Sequence, residues 1–383
     1  MKMERIARTL VWRDECPKPA EIWAFEVVRG ARAVEALPMS QNLFRQTIVA
    51  VIWDFDKTLI PGYMQTPLFR HYGVNEEKFW REVAGLPEFY KKRGLELVSR
   101  DTLYLNHILT YVRSGRFKGL NNTLLRDLGA ALEFYPGLPE FFAAVKEHVA
   151  QQPEYRQAEI RVEHYIVSVG LRQMILGSKI APYADGVWGC EFVETVAPPD
   201  YLDAGRQQLL LQTHPTASEI VELGYVIDNT TKTRAIFEIN KGTNKEPTID
   251  VNAKIEPQDR RVPIESMIYV ADGPSDIPVF SIVKQYGGQA YAVYGQGAGK
   301  EFEQVRTLQA QQRIDAFGPA DYRERSHTAM LILDAVDRVA RRIVETRRRM
   351  VGDRVGAPPR HIANDADAAP AVRTPRQLDL GRG

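Results

Sequence analysis

Cysteine is nearly absent: Cys16 and Cys190 are the only two in 383 residues. They lie far apart and in no metal-ligand spacing, so there is no basis for a disulfide framework or a thiolate zinc site. Net charge is also lacking. Fifty Lys and Arg against 49 Asp and Glu leave +1, which gives no global field toward nucleic acid or an anionic membrane, and neither is expected as a partner. Long apolar runs are missing too. The strongest, Ile48 to Trp53, falls far short of the ~18 residues that suggest a membrane span. Residues 1–17 are basic in places but have no continuous apolar stretch of the kind a secretory signal needs. A cytoplasmic protein in reducing surroundings is the expectation.

What is present is ordinary globular usage, 44% hydrophobic and 26% charged, in a chain longer than one typical domain. Residues 1–45 show no firm period and read as an N-terminal extension without assigned chemistry. Residues 47–53 are a compact β-branched run ending in acids, the pattern of a buried parallel strand that delivers a site at its C-terminal end. Residues 67–133 switch to helical spacing, with Tyr104, Ile108, Tyr111 and Val112, then Leu124, Leu125, Leu128, Ala131 and Leu132. Such a block after a single strand reads as an inserted helical cap, closed by the turn Tyr135-Pro136-Gly137.

The core then spans 46–66 and 134–344. Its predicted strands are 164–168, 187–193, 225–228, 265–271 and 290–294, and its predicted helices 141–149, 172–176, 233–240 and 330–344. Residues 197–217 and 242–263 read as loop and linker. From Arg341 onward ten Arg face five acids, a net +5. Residues 345–383 are therefore predicted to be a disordered basic tail, whose functional reading would be a contact with an anionic partner.

The chemistry gathers at strand ends. Asp54 and Asp56 sit two apart, sharing a side if the strand continues or converging in the turn that follows. Two close carboxylates repel, and a divalent cation with oxygen ligands would relieve them. The plain alternative is a turn pair. Asp272 and Asp276 follow a second apolar strand, although Asp-Gly-Pro-Ser is also a common turn sequence. Ser168 and Gly170 end a third strand and suit a phosphate oxygen. Lys232, at the start of a helix, would supply positive charge, with Lys241 competing for that role.

The order acidic pair, Ser, Lys, acidic pair resembles the haloacid dehalogenase superfamily over roughly residues 46–340. The matching motifs are Asp54, Asp56 and Thr58; Ser168; Lys232; and Asp272, Gly273 and Asp276. The helical insert looks like the cap of the phosphoserine-phosphatase-like branch. The resemblance implies an α/β fold, a Rossmann-like parallel sheet with helices on both faces and a helical cap inserted after the first strand. It also implies a phosphohydrolase with Asp54 as nucleophile and Asp56 as acid/base. Thr58, Ser168, Gly170 and Lys232 would bind phosphate, and Mg²⁺ would be held by Asp54, the Asp56 carbonyl, Asp272 and Asp276. Asp56 favours phosphoryl chemistry over dehalogenation. The expected substrate is a small phosphorylated metabolite, read by cap residues such as Arg70, Tyr72, Tyr104 or His107. A phosphotransferase or mutase, or a non-catalytic protein of the same fold, is the alternative.

Overall fold

The computed structural model describes residues 46–354 apart from 198, 200 and 203–217. The N-terminal extension and the tail beyond 354 lie outside the described residues. The first strand, β1 (Ile48–Trp53), is buried at every position, as expected of a central parallel strand covered on both faces. Six helices follow before the next strand, the first four being α1 (Thr66–Tyr72), α2 (Glu76–Lys91), α3 (Leu103–Arg113) and α4 (Asn122–Gly129). Then come α5 (Glu140–Gln151), α6 (Pro153–Gln157), β2 (Arg161–Leu171), α7 (Arg172–Gly177), β3 (Gly186–Val193) and β4 (Glu222–Tyr225). The chain continues through α8 (Lys232–Lys241), β5 (Met267–Ala271), α9 (Ile277–Gln285), β6 (Gln289–Tyr294), α10 (Gly299–Ala310), β7 (Ala316–Pro319) and α11 (His327–Arg354).

The strands form one sheet in the order β4-β3-β2-β1-β5-β6-β7. All neighbouring pairs are parallel except β3 with β4. This is a Rossmann-like α/β sheet, mostly rather than wholly parallel. The antiparallel edge departs from the expected strand at 225–228: it is Glu222–Tyr225, and beyond it the Ile227 N–H meets Cys190 Sγ. Four further elements, α6, α9, α10 and β7, were not expected. The tail prediction also needs correcting at its start, because α11 runs on to Arg354. Ile343 and Val344 are still buried there, and the i,i+4 pair Glu345 with Arg349 supports the next turn.

Alternate residues of β1 face opposite layers. Val49, Val51 and Trp53 join a core with α5 and α11, while Ile48, Ala50 and Ile52 join one with α8, α9 and α10. The helical block is tied to the sheet layer through α4 and α7. A Cβ on Gly129 would land on the Met174 carbonyl, and one on Gly177 would land on the Arg126 carbonyl. The two helices meet backbone to backbone.

Trp53 stacks on Phe142 at 4.9 Å and donates its indole N–H to His164 Nδ1 at 3.2 Å. Indole can only donate, so Nδ1 is bare and Nε2 carries the proton toward the Phe142 carbonyl at 2.9 Å. Burial, with Lys146 adding, holds His164 neutral and depresses its pKa to about 3. An unfolded histidine takes up a proton near 6.5 while the native one does not. Stability that is intact above pH 6.5 is therefore lost as pH falls toward 3, by up to about 1.4 kcal/mol per unit. His164→Gln, which accepts and donates but does not titrate, is expected to flatten that part of the stability curve between pH 6 and 4 in urea titrations. An unchanged slope would assign acid sensitivity to other groups.

Candidate active site

The site is built where β1 stops. Asp54 still bonds the sheet, its N–H donating to the Val270 carbonyl at 2.9 Å. Beyond it the chain leaves the strand. Phe55 is buried, and its carbonyl accepts from the Leu59 N–H at 2.8 Å. Lys57 takes the left-handed conformation, φ 57°, which is uncommon for a side chain of its size. Asp56 pairs with Ile60 as an isolated bridge. Asp54 thus ends the strand and Asp56 lies in the tight turn that follows, rather than both lying along one strand. Continuing the register from Trp53 beside Ile166 and Val270 brings Ser168 and Asp272 to the level of Phe55. Three strand ends therefore open on one edge, as ligand sites do in open α/β sheets.

Lys232 joins two of those ends. Its helix starts at a turn where Asp228 Oδ1 accepts the N–H groups of Thr230 and Thr231 at 2.9 and 2.7 Å. Lys232 is the first residue of α8 and is buried, with Nζ 2.6 Å from Asp54 Oδ1 and 2.7 Å from Asp276 Oδ1. Lys241 points elsewhere and donates to the carbonyls of Val251 and Ala253. Asp276 also accepts from the Tyr269 hydroxyl at 2.6 Å and from Ser275 Oγ at 2.8 Å. With both oxygens engaged, its carboxylate chiefly positions the lysine.

Thr58 Oγ1 donates to Asp54 Oδ2 at 3.1 Å, so its hydroxyl is spent on orienting that carboxylate rather than left free for a phosphate oxygen. Tyr322 holds the Thr58 carbonyl at 2.7 Å. Asp56 Oδ1 accepts from the Met64 N–H at 2.9 Å. Ser168 Oγ accepts from the Gly170 N–H at 3.0 Å. That occupies the Gly170 donor, while the serine keeps its own proton to give. The irregular β2 to β3 pairing between Val167 and Leu171 is what frees this stretch from the ladder.

One carboxylate oxygen each from Asp54, Asp272 and Asp276 lies within 4.8 Å of the others. The Asp56 carboxylate is not in that group. Burial raises Asp54 to about 6 against the pull of Lys232, with Asp276 adding to the rise. Burial and then the charge of Asp54 push Asp56 up to about 8. Asp272 is raised well above the usual carboxylate range by burial, Asp54 and Asp276. Lys232 stays charged: burial works against it, but Asp276 and Asp54 outweigh burial and lift its pKa. Four carboxylates meet one buried ammonium, a balance that favours a further cation. The cluster offers oxygen donors that could hold a hard divalent cation.

Among the cap residues, Tyr72 donates to the Lys118 carbonyl, Tyr104 to the Val169 carbonyl, and His107 pairs with Glu82. Arg70 instead lines a cavity of about 210 Å³ with Ile60, Tyr63, Thr66 and Glu133. Sequence reasoning missed Tyr269, Tyr322 and Met64. Tyr269 hides inside an apolar strand, Tyr322 reaches in from 264 residues away, and Met64 acts through its backbone.

No family model matches the chain. Similar solved structures include a HAD family hydrolase from Salmonella enterica serovar Typhi, at 12% identity and TM-score 0.41, covering 70% of this chain and 66% of that one. Another is a phospho-aspartyl intermediate analogue of phosphoserine phosphatase, at 15% identity and TM-score 0.38, covering 71% of this chain and 93% of that one. Among the described residues, no helix is long and apolar enough to cross a membrane. An uncharacterized protein of Borreliella burgdorferi is 42% identical over 239 residues, covering 62% of this chain and 79% of that protein, and the chain belongs to the same family as that protein.

Proposed function

We propose that the protein is a Mg²⁺-dependent phosphomonoester hydrolase of the haloacid dehalogenase type, acting on a small phosphorylated metabolite through an aspartyl-phosphate on Asp54. The observation that carries this reading is Lys232 clamped between Asp54 and Asp276, with an Asp272 oxygen completing a three-carboxylate cluster at the strand ends. In the first step an Asp54 oxygen attacks phosphorus, the ester P–O bond breaks, and Asp56 gives its proton to the departing oxygen. With a pKa near 8 that proton is in place at neutral pH. In the second step Asp56 takes a proton from water as the water oxygen attacks phosphorus, and Asp54 is regenerated.

Lys232 and the Ser168 hydroxyl would hold the phosphoryl oxygens as charge builds. Thr58 keeps the Asp54 carboxylate aimed. Asp54, the Asp56 carbonyl and Asp272 would hold the metal, with Asp276 acting mainly through Lys232. When bound, the ion supplies Lewis-acid screening between carboxylate and phosphate. The four-helix block after β1 would serve as the cap over this edge.

The test is a Mg²⁺ titration of aryl phosphate turnover. Wild type is expected to lose activity in chelator and recover it with Mg²⁺. Asp272→Ala is expected to raise the half-saturating Mg²⁺ concentration by about 10–100-fold. Equal metal dependence in both proteins would remove Asp272 from the metal site, and turnover in chelator would sink the metal requirement itself.

A further inference from the structure

The helical block after β1 is tied to the core at three places. From α3, the Tyr104 hydroxyl donates to the Val169 carbonyl at 2.6 Å, between Ser168 and Gly170. From α4, backbone meets the backbone of α7, and Arg126 donates twice to Gln173 Oε1, at 3.2 and 2.7 Å. The third tie is made by the two ends of the β3–β4 connection, residues 192–194 and 218–221, on the turn between α3 and α4. There the Ile220 N–H donates to the Leu120 carbonyl at 2.8 Å, with both residues buried, and Glu219 accepts from the Gly119 N–H. Glu194 accepts from the Asn122 N–H at 2.6 Å with one oxygen and from Ser218 Oγ at 3.1 Å with the other. Asn122 Nδ2 reaches the Phe192 carbonyl at 3.0 Å. Because Asn122 opens α4, its N–H has no partner inside the helix, and a carboxylate there also meets the positive end of the helix dipole.

The far end of α2 has no such tie. Glu82 pairs with His107 and accepts from Tyr111. Among the described residues, however, no side chain from 84 to 101 has a hydrogen bond or ion pair outside that stretch: Lys92 meets Glu88, and Arg93 donates to the Phe89 carbonyl. Phe89, Leu95 and Leu97 are exposed. We infer that the ends of the β3–β4 connection form a strap that fixes α3 and α4 on the sheet, leaving residues 84–101 as the part of the block that moves. A body tied at two points can rock about the line joining them. Met174 and Ile175 of α7 pack in the core layer of Val51 and Trp53, whereas β2 and the strap belong to the sheet, so the third tie lies off that line. The inference does not depend on the hydrolase reading, because it concerns how the block is held and its test needs no substrate.

The experiment is hydrogen exchange read by mass spectrometry on the full chain, in wild type, Glu194→Gln and the double variant Glu194→Ala with Glu219→Ala. In wild type, peptides covering 103–113 and 122–130 are expected to exchange within about 10-fold of the peptide covering β1, and those covering 86–98 at least about 100-fold faster. The double variant should speed 103–113 and 122–130 together by about 10-fold or more, with β1 unchanged. Glu194→Gln keeps an acceptor but loses the charge, so it should move the same two segments in the same direction by less. It also carries the test if the double variant does not fold. A wild type in which 122–130 exchanges as fast as 86–98 would mean that the block swings as one body, and would overturn the inference. So would variants in which exchange rises only at 118–122, where the lost bonds were, or does not rise at all, because the strap would then hold nothing beyond its own contacts.

Discussion

Asp54→Asn is expected to reduce aryl phosphate turnover by roughly 10⁴-fold or more, since the amide keeps the shape of the carboxylate but is no nucleophile. The fold should not suffer. Asp54 is a buried carboxylate whose pKa is driven up to about 6 by burial and by Asp276, against the help of Lys232. Removing its charge relieves Asp272 and Asp276 while Lys232 keeps its bond to Asp276. In chelator near pH 8 the variant should melt at or above the wild-type temperature. Intact-mass measurement during turnover supplies a second readout, with a phosphate adduct on wild type and none on the variant. Substantial activity in Asp54→Asn would sink the covalent mechanism, and a large drop in melting temperature would mean that the carboxylate is structural.

The opposite pattern is expected for Lys232→Met. Here a buried ammonium is removed and two buried carboxylates are left without their shared partner. Breaking a buried pair from one side costs about 3–5 kcal/mol, against well under about 1 kcal/mol for a solvated surface lysine. Activity should fall with stability. The sign of the pH dependence distinguishes this from a packing defect. Asp54 has a folded pKa raised above its unfolded value, so its favourable protonated state is present at low pH and lost as pH rises through about 6. Without Lys232 that rise is steeper, and the deficit of the variant should shrink as pH is lowered from 8 toward 5. Adding Mg²⁺ at pH 8 should shrink it too, because the carboxylates gain a cation. Urea unfolding of both proteins across that range reads both effects; a deficit independent of pH and Mg²⁺ would point to lost volume instead.

The parts of this architecture that were legible in the sequence are those with a continuous signal. β1 and β5 are unbroken apolar runs that end in acids, so the strands and their chemistry could be read together. The helical block was legible from its period. β4 and β7 were not, because both are four-residue edge strands, and β7 contains Gly318 and Pro319, which are poor strand formers. In the site, Asp54, Asp56 and Asp272 follow strands, and their neighbourhood follows from the sheet order. Lys232 needed the resemblance, since nothing in its local sequence separates it from Lys241; only tertiary structure puts one against Asp54 and turns the other, at the far end of the same helix, toward the carbonyls of Val251 and Ala253. Thr58 and Gly170 were expected to face a phosphate, and they instead orient Asp54 and tie down Ser168. Tyr269 and Tyr322 carry no linear signal, because each acts through a partner brought near by folding.

The contact between α4 and α7 imposes an order on how this sequence can drift. With a carbonyl where each glycine's methyl would go, a first substitution at Gly129 or Gly177 must push the helices apart, at a cost of about 1–3 kcal/mol for overpacking. Once they are apart, the second methyl enters a gap already opened, so the two changes are not additive. The pair behaves as a ratchet in sequence space: the first step is the barrier, and afterwards little holds the other glycine in place or favours the way back.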